Sequence, residues 1–338
     1  MPDAAIGSTA LLASDDSRRI IDLIDSLSSH GVNHYLDLPQ IIVCGDQSSG
    51  KSSVLEAISR VPFEAQDGLC TPFATELVLR RQEEAEFKVF VTRHGVAEEA
   101  TLEGESTDLA IEKAIEAAKE RLILSDGKAF SRDILRIEVS GPNQPHLTLV
   151  DLPGLFQSST ITQSAEDAQT VEELVISYMK KPRIIILAVV SAANEFALQQ
   201  VTQRAREIDP NGFITKPDKL DRYSNTEKFY VNLSNTKEVP LSLGWHVLRN
   251  RGFGETTVAS DVRDQLEPKF FAKSPWNKLT DSQLGVESLK SRLSRVLHNH
   301  VLKHIPNVLE EIQSSLKECK IALEHLGRER RSQKEQRA

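Results

Sequence analysis

One short stretch constrains the fold more than any other. An apolar run at residues 41–44 leads straight into a Gly-x-x-x-x-Gly-Lys-Ser loop at residues 45–52. After the loop, Val54, Leu55 and Ile58 recur at helical spacing. This order of strand, loop and helix indicates a phosphate-binding loop, whereas the same motif without that context is only a glycine-rich turn.

The chemistry of this loop predicts which residues contact a nucleotide. Successive backbone N–H groups curl around the phosphates, and the N-terminus of the following helix adds partial positive charge. Lys51 is placed to reach the outer phosphates and the Ser52 hydroxyl to ligate Mg²⁺. Gly50 lets the backbone approach the nucleotide without a Cβ. The predicted contacts are Gly45, Asp46, Gln47, Ser48, Ser49, Gly50, Lys51, Ser52 and Ser53.

Composition narrows the class of protein. The chain has 338 residues, a formal charge of −8 and 5% aromatic residues, which argues against a dedicated nucleic-acid binder. Cys44, Cys70 and Cys319 lie far apart without metal-site spacing, so we interpret them as reduced thiols. No secretory signal is visible, and the longest apolar run, residues 184–190, is too short to cross a bilayer. We therefore expect a soluble, intracellular protein.

Strand and helix patterns alternate along most of the chain. Strand patterns follow the loop at residues 75–81, 86–92, 134–139, 146–151, 183–190, 213–215 and 245–248. Helical patterns occur at residues 15–27, 108–124, 163–180 and 195–208. The first two strands after the loop are predicted to form a hairpin. The alternation predicts an α/β sheet with helices on both faces.

The last part of the chain has a different pattern. From residue 285 it is wholly helical, with a predicted interruption at Pro306. Beyond this proline, apolar residues alternate spacings of three and four, at Leu309, Ile312, Leu316, Cys319, Leu323 and Leu326. This seam spans fewer than three heptads, so both a coiled coil and a helix packed back on the domain stay open. The mixed-charge residues 328–337 are interpreted as a solvated helix end.

A second motif, Asp-Leu-Pro-Gly at residues 151–154, follows the strand pattern that begins at His146. Asp151 can hold Mg²⁺ through a water, and the Gly154 N–H can contact the γ-phosphate. Asp-x-x-Gly alone is a common turn. Its place at a strand end, well after Lys51, makes it a candidate part of the nucleotide site.

A third motif, Thr-Lys-Pro-Asp at residues 215–218, indicates which purine is bound. Asp218 can accept hydrogen bonds from guanine N1–H and the exocyclic amine, while the stem of Lys216 lies along the base. Adenine has no such donor pair on that edge, so the motif favours guanine over adenine. Without the other motifs, these residues would be an ordinary Pro-Asp turn. Between the loop and Asp151, Thr71 is on the sequence alone only a loop threonine.

Five segments, in order, resemble the motifs of dynamin-family large GTPases. They are residues 45–56, 68–80, 149–155, 215–221 and 244–252. The resemblance covers about residues 15 to 330. The residues of the motifs are most similar to those of dynamin-like proteins of filamentous fungi. It implies a P-loop GTPase domain with a mixed, mostly parallel sheet, helices on both faces and a flanking helical bundle element.

The resemblance also implies a division of the chain. Its parts would be a flexible N-terminus at 1–14, an N-terminal bundle helix at 15–38, the GTPase domain at 39–283, a second bundle helix at 284–304, and the start of a stalk helix with a charged tail at 305–338. The regions that the family uses for stalk assembly would be missing. We therefore expect a fragment or a truncated member.

The site residues implied by the resemblance extend those derived above. Ser48 would help hold a monovalent cation, Na⁺ or K⁺, and Gln47 would orient the attacking water. Thr71 would hold water and Mg²⁺, so the catalytic set is Gln47, Ser48, Lys51 and Thr71. Mg²⁺ would be held by Ser52, Thr71 and, through a water, Asp151. Beyond the loop, GTP or GDP would contact Asp151, Gly154, Thr215, Lys216, Asp218, Asp221, Asn250 and Arg251.

The function expected from the resemblance is GTP hydrolysis coupled to assembly-dependent remodelling or fission of intracellular membranes. GTPase domains would associate face to face, membrane contact would be indirect, and the cytoskeleton is a further candidate partner. The protein would be cytoplasmic and peripheral on intracellular membranes. The alternative is a catalytically weakened fragment that acts as a nucleotide-binding or heteromeric interaction module. An ATPase of the wider P-loop class is disfavoured by residues 215–218.

Two departures from the family pattern bear on activity. Pro72 stands where the family usually has arginine, which removes a charge and an N–H group. The strand before Thr215 is shortened to residues 213–215. Such a deletion could misplace Asp218 and weaken guanine binding.

Overall fold

A computed structural model describes most of the chain. The described residues are 15–30, 32, 35–62, 73–93, 96–100, 111, 113–118, 134–156, 165–192, 194–208, 213–216, 224–235, 243–252, 255 and 258–326. Among them, no helix combines the length and apolar character that a membrane span requires. Of the predicted helix at 108–124, residues 113–118 are described and helical.

A nine-stranded sheet forms the centre of the fold. The strands are β1 (Gln40–Gly45), β2 (Ala74–Arg81), β3 (Glu86–Arg93), β4 (Val96–Ala100), β5 (Ile134–Gly141), β6 (Leu147–Asp151), β7 (Ile184–Ser191), β8 (Phe213–Lys216) and β9 (Trp245–Val247). Their order is β4-β3-β5-β2-β6-β1-β7-β8-β9, and β6, β1, β7, β8 and β9 are mutually parallel. The predicted mixed, mostly parallel sheet is confirmed.

Helices cover both faces of this sheet. They are α1 (Asp15–Ser29), α2 (Lys51–Ser59), α3 (Ala165–Met179), α4 (Gln200–Ile208), α5 (Asn225–Asn235), α6 (Ser260–Phe271) and α7 (Val286–Leu326). Because side chains alternate along a strand, β1 directs Ile41 and Val43 to one core and Ile42 and Cys44 to the other. The first core contains α1, α2 and α7, and the second contains α3 to α6. The prediction of helices on both faces is therefore confirmed.

The predicted hairpin between β2 and β3 is wrong. Strand β5 lies between them, parallel to β2 and antiparallel to β3. Its Ile137 pairs with Leu77 on one side and with Val89 on the other. The antiparallel partner of β3 on its other edge is β4. Alternation of side chains identifies each strand, but pairing depends on a segment more than forty residues further along the chain.

Helix α7 does not break where the sequence predicts an interruption. It runs for 41 residues straight through Pro306. Pro306 is exposed, so its ring and the carbonyl that loses an N–H partner can both face water. Beyond the proline, Leu309, Leu316 and Leu323 are 50%, 54% and 64% exposed. Ile312 of the seam is half-buried and packs against the first core, whereas these three leucines are exposed, so the seam packs back on the described part of the domain only in part.

Polar contacts attach α1 to the sheet. Asp22 and Asp25 both pair with Arg80 of β2, with the Asp22 Oδ1 lying 2.8 Å from the Arg80 Nε. Further along α1, the Ser28 hydroxyl donates to the Glu76 carboxylate at 3.0 Å. Both sheet residues belong to the strand that directly follows the region of Thr71. The Thr148 hydroxyl of β6 also donates to Asp25 at 2.9 Å, so the N-terminal helix is fastened to two neighbouring strands, β2 and β6.

The buried side chain of His246 is expected to lower the stability of the fold in acid. Its Nε2 donates to the Gly285 carbonyl at 2.8 Å, and burial lowers its pKa from 6.5 to about 4 because the charged ring is disfavoured there. Between these values the unfolded chain binds more protons, so the free energy of unfolding falls as the pH is lowered from 6.5 to 4. We expect a loss on the order of 3 kcal/mol from this residue.

Urea unfolding of His246→Gln, measured at several pH values, tests this expectation. Glutamine can still donate to Gly285 but does not titrate, so the variant should lose stability less steeply with acid. The control is His325→Gln at an exposed position on α7. Identical pH profiles for the wild type and His246→Gln would contradict the prediction.

Candidate nucleotide-binding site

The carboxyl ends of the parallel strands define one edge of the sheet. The phosphate loop follows β1, Asp151 ends β6, and Lys216 ends β8. Val43 pairs with Asp151, and Ser191 of β7 pairs with Lys216, so these strand ends lie side by side. Ligands of open parallel sheets bind at this edge. The backbone therefore brings the three predicted motifs to one place.

The phosphate loop turns tightly before α2. Ser48 and Gly50 both have left-handed backbones, with φ values of 59° and 93°. Gly50 is the N-cap of α2, and within the described residues no side chain caps this helix. The first-turn N–H groups are thus left without a side-chain acceptor, which is the arrangement that helix N-termini use to bind phosphate.

The second motif packs directly against this loop. Leu155 donates its N–H to the Gly45 carbonyl at 3.0 Å, and Gln47 donates its N–H to the Leu155 carbonyl at 2.7 Å. A Cβ added at Gly154 would lie 3.1 Å from the Gln47 Cα and 3.5 Å from the Lys51 Nζ. Any larger residue at position 154 would require the Gln47 backbone to move by a few tenths of an ångström. The two predicted phosphate-contacting segments therefore meet beside the lysine.

Asp151 has the environment expected of a residue near a cation. Its Oδ1 is buried and has no hydrogen-bond partner among the described residues. Burial raises the pKa of Asp151 from 3.8 to about 6, while the charge of Lys51 acts in the opposite direction. Mg²⁺ in nucleotide sites takes few protein ligands and keeps several waters. The orphaned carboxylate oxygen therefore fits a Mg²⁺ site, with Asp151 acting through a water; that Ser52 is a ligand stays a prediction.

The side chain of Asp46 makes its hydrogen bonds to the start of α4. Its two carboxylate oxygens accept the N–H groups of Gln200 and Val201, at 3.0 and 2.9 Å. These are the first residues of α4, where a carboxylate is favoured by the orphan donors and the helix dipole. In this arrangement Asp46 can offer a phosphate only its backbone.

The third motif is only partly described. Thr215 and Lys216 end β8, a strand of four residues that all pair with β7, while the first three also pair with β9. The shortened strand therefore still joins the sheet. Asp218, Asp221 and Thr71, like Pro72, lie outside the described residues. Their predicted contacts stay predictions.

Asn250 and Arg251 lie in the loop after β9 and already have protein partners. The Asn250 Oδ1 accepts a hydrogen bond from the Arg263 Nη2 at 2.7 Å. The Arg251 guanidinium donates to Glu56 of α2 at 2.5 Å and to the Ser260 hydroxyl at 2.9 Å. This loop is thus tied to both α2 and α6. That either residue contacts the nucleotide stays a prediction.

Sequence reasoning assigned no role to α6, although two of its side chains contact this loop region. Arg263 and Glu267 are buried and lie four residues apart, the spacing of a helical ion pair. That spacing is the signal that could have found them. Their burial could not be read from the sequence, because arginine and glutamate are mostly exposed on helices.

Comparisons with known proteins agree with the geometry. A family model described as "Dynamin family" matches residues 41–215, and one described as "Dynamin central region" matches residues 230–338. Interferon-induced GTP-binding protein Mx3 of Oncorhynchus mykiss is 33% identical over 92% of this chain and 50% of its own length. Interferon-induced GTP-binding protein Mx of Dicentrarchus labrax is 32% identical over 92% and 48%, and Mx1 of Equus caballus is 32% identical over 92% and 47%. The chain spans about half the length of the curated relatives it matches.

Proposed function

The chain belongs to the dynamin family of large GTPases, and from this premise we propose that it binds GTP and GDP and hydrolyses GTP with Mg²⁺. The observation that carries the proposal is the meeting of Lys51, Gly154 and Asp151 at one sheet edge, beside the uncapped start of α2. Lysine and free N–H groups supply positive charge, and Asp151 supplies an unpaired carboxylate oxygen. A triphosphate with its metal ion has the matching charges.

The mechanism that we propose depends on positioning and electrostatics. Lys51 and the N–H groups of the loop hold the phosphates, and Gln47 orients the attacking water. Ser52 and, through a water, Asp151 would hold Mg²⁺, which neutralises charge that develops on the phosphates when it is bound. Ser48 would hold a monovalent cation, Na⁺ or K⁺, and Thr71 a water and Mg²⁺. No side-chain acid or base is required.

Guanine selection is proposed to come from the segment after β8 and the loop after β9. Asp218 would accept the two donors of the guanine edge, and Lys216 would lie along the base. The other proposed nucleotide contacts on this side of the site are Thr215, Asp221, Asn250 and Arg251. The pairing of β8 with both neighbours supports this proposal, because it directs the following segment to the edge that holds the phosphate loop.

At the level of the whole protein, we propose self-association through GTPase domains and remodelling or fission of intracellular membranes. Two observations support assembly: residues 230–338 match the dynamin central region, and the seam leucines of α7 are exposed. The names of the relatives say that those proteins are GTP-binding. Membrane contact is proposed to be indirect and peripheral, with the protein in the cytoplasm.

A second candidate is a catalytically weakened domain that acts as a nucleotide-binding or heteromeric interaction module. One observation favours it: Arg251, a predicted nucleotide contact, is held by Glu56 and Ser260. The shortness of β8, which has four residues, and the proline at position 72 also favour a catalytically weakened domain. This candidate predicts nucleotide binding without assembly-stimulated turnover.

Hydrolysis of GTP and of ATP, measured against protein concentration, tests the two candidates. We expect GTP to be preferred and the rate per molecule to rise with concentration, since facing domains complete the site. Replacing Na⁺ or K⁺ with a large inert cation should lower the rate. The same protein in each buffer is its own control.

Different results separate the alternatives. Equal hydrolysis of GTP and ATP would defeat the guanine assignment. A rate per molecule that is flat with concentration and independent of the cation would overturn the dimer-and-cation mechanism. Guanine-nucleotide binding without turnover would favour the interaction module.

A further inference from the structure

The carboxylate of Asp46 joins the phosphate loop to the start of a helix that is distant in sequence. Its Oδ2 accepts the N–H of Gln200 at 3.0 Å, and its Oδ1 accepts that of Val201 at 2.9 Å. These N–H groups belong to the first turn of α4, where no carbonyl of the same helix can accept them. Asp46 therefore satisfies two donors of a helix that begins 154 residues further along the chain.

A negative side chain is unexpected in a loop that binds phosphate. Like charges repel, so a carboxylate beside a triphosphate weakens binding unless its charge is directed elsewhere. The bonds to Gln200 and Val201 direct the charge of Asp46 to the N-terminus of α4, where the helix dipole favours an anion. The side chain of Asp46 therefore has a different task from contacting the phosphates.

The first turn of α4 is held in place by contacts that do not involve Asp46. The side-chain amide of Gln199 accepts the Ser191 N–H at 3.0 Å and donates to the Ser191 carbonyl at 2.9 Å. The Thr202 hydroxyl donates to the Gln199 carbonyl at 2.7 Å. Gln199, Val201 and Thr202 are at most 2% exposed. The start of α4 is thus a fixed support, anchored to the end of β7.

Gln47 lies between this support and a second one. On the second side, its N–H donates to the Leu155 carbonyl at 2.7 Å. The Asp46 carbonyl accepts the Ser49 N–H at 3.0 Å, which closes the turn in which Ser48 has its left-handed backbone. Orienting a water for attack requires placement to within a fraction of an ångström, and such placement needs support from the surrounding residues. The loop around Gln47 has that support on both sides.

We propose that Asp46 is a positioning residue for GTP hydrolysis, whose carboxylate holds the phosphate loop against α4 and so fixes Gln47 and Ser48 in the conformation that the reaction needs. This inference rests on the proposed function, in which Gln47 orients the attacking water. The phosphates are held by the other half of the loop, at Lys51 and the first turn of α2. Asp46 therefore acts on turnover and has little effect on affinity.

The first test compares kcat with nucleotide affinity in Asp46→Ala and Asp46→Asn. Alanine has no acceptor for the two N–H groups, and asparagine has one acceptor oxygen. We expect kcat for GTP to fall at least about tenfold with alanine and by a smaller factor with asparagine. The Kd for GDP should stay within about threefold of the wild-type value, because Lys51 is unchanged. The control is Asp261→Asn, the same chemical change in the first turn of α6 at a side chain that is 92% exposed, and its kcat should equal that of the wild type.

The second test removes the same contact from the side of α4. Gln200→Pro deletes one of the two N–H groups, and proline is tolerated in the first turn of a helix. The preceding Gln199 has φ −75° and ψ 123°, an extended conformation that a following proline permits. We expect kcat to fall without weaker binding of GDP. The double variant Asp46→Ala with Gln200→Pro should be no slower than Asp46→Ala alone, since both changes break one contact.

The outcomes distinguish this inference from the proposed function. A folded Asp46→Ala with wild-type kcat, or with a Kd for GDP that rises as much as kcat falls, overturns the inference alone. Losses of kcat that multiply in the double variant overturn it as well, because the two residues would then act separately. If Asp46→Ala does not fold, a wild-type kcat in Gln200→Pro is the contradicting result. Wild-type protein that hydrolyses no GTP overturns the proposed function and this inference with it.

Discussion

Replacing Lys51 with alanine is expected to abolish GTP turnover, with kcat/KM lowered by at least about a hundredfold. Lys51 begins α2, and its Nζ lies 3.5 Å from where a Cβ would stand on Gly154, next to Asp151. The variant therefore loses the side-chain cation that faces the outer phosphates. Steady-state hydrolysis of GTP and titration of GDP measure the two consequences, on turnover and on affinity.

An exposed lysine provides the matched control for this experiment. Lys180 follows α3 on the surface, and Lys180→Ala makes the same chemical change away from the sheet edge. Its turnover should equal that of the wild type. If Lys51→Ala retains wild-type kcat/KM while folded, the phosphate loop is not the reaction site.

Replacing Arg136 with methionine is expected to lower the free energy of unfolding by about 3–5 kcal/mol. Arg136 of β5 and Glu76 of β2 form a buried ion pair, with the Arg136 Nη1 2.7 Å from the Glu76 Oε2. In the variant the Glu76 carboxylate stays buried, and among the described residues only the Ser28 hydroxyl remains as a donor in place of a cation. Chemical denaturation monitored by circular dichroism measures the loss.

Two further variants test whether the loss of stability comes from burying an unpaired charge or from losing any ion pair. In the double variant Glu76→Leu with Arg136→Met, neither charge remains buried, so much of the stability should return. Lys88→Met removes one partner of the surface pair with Glu86 and should change stability by less than about 1 kcal/mol. Equal losses for Arg136→Met and Lys88→Met would show that burial does not decide the effect.

The sequence predicts the individual elements well because their signals are local. Alternation and apolar runs identify the strands, and Gly50 with Lys51 identifies the loop and the start of α2. The strand pattern at residues 213–215 also appears as β8. These features depend on neighbours only a few residues apart, which a single sequence contains.

What the sequence could not predict depends on contacts across the fold. The insertion of β5 between β2 and β3 requires knowing which strands match across long connections. The continuity of α7 depends on Pro306 facing water rather than the core. The role of Glu267 on α6 is visible only once its carboxylate is known to be buried between Arg249 and Val286. Charge patterns alone would have assigned it to a solvated surface.

Because α7 is long and unbroken, a small change in its tilt moves its far end over a large distance. A helix of 41 residues is about 60 Å long, so a tilt of roughly 10° at its first turn would displace its far end by about 10 Å. Arg183 pairs with Glu311 part-way along this helix, and this ion pair would oppose such a tilt. The length of the helix therefore turns a small angular change at its first turn into a large movement at its last.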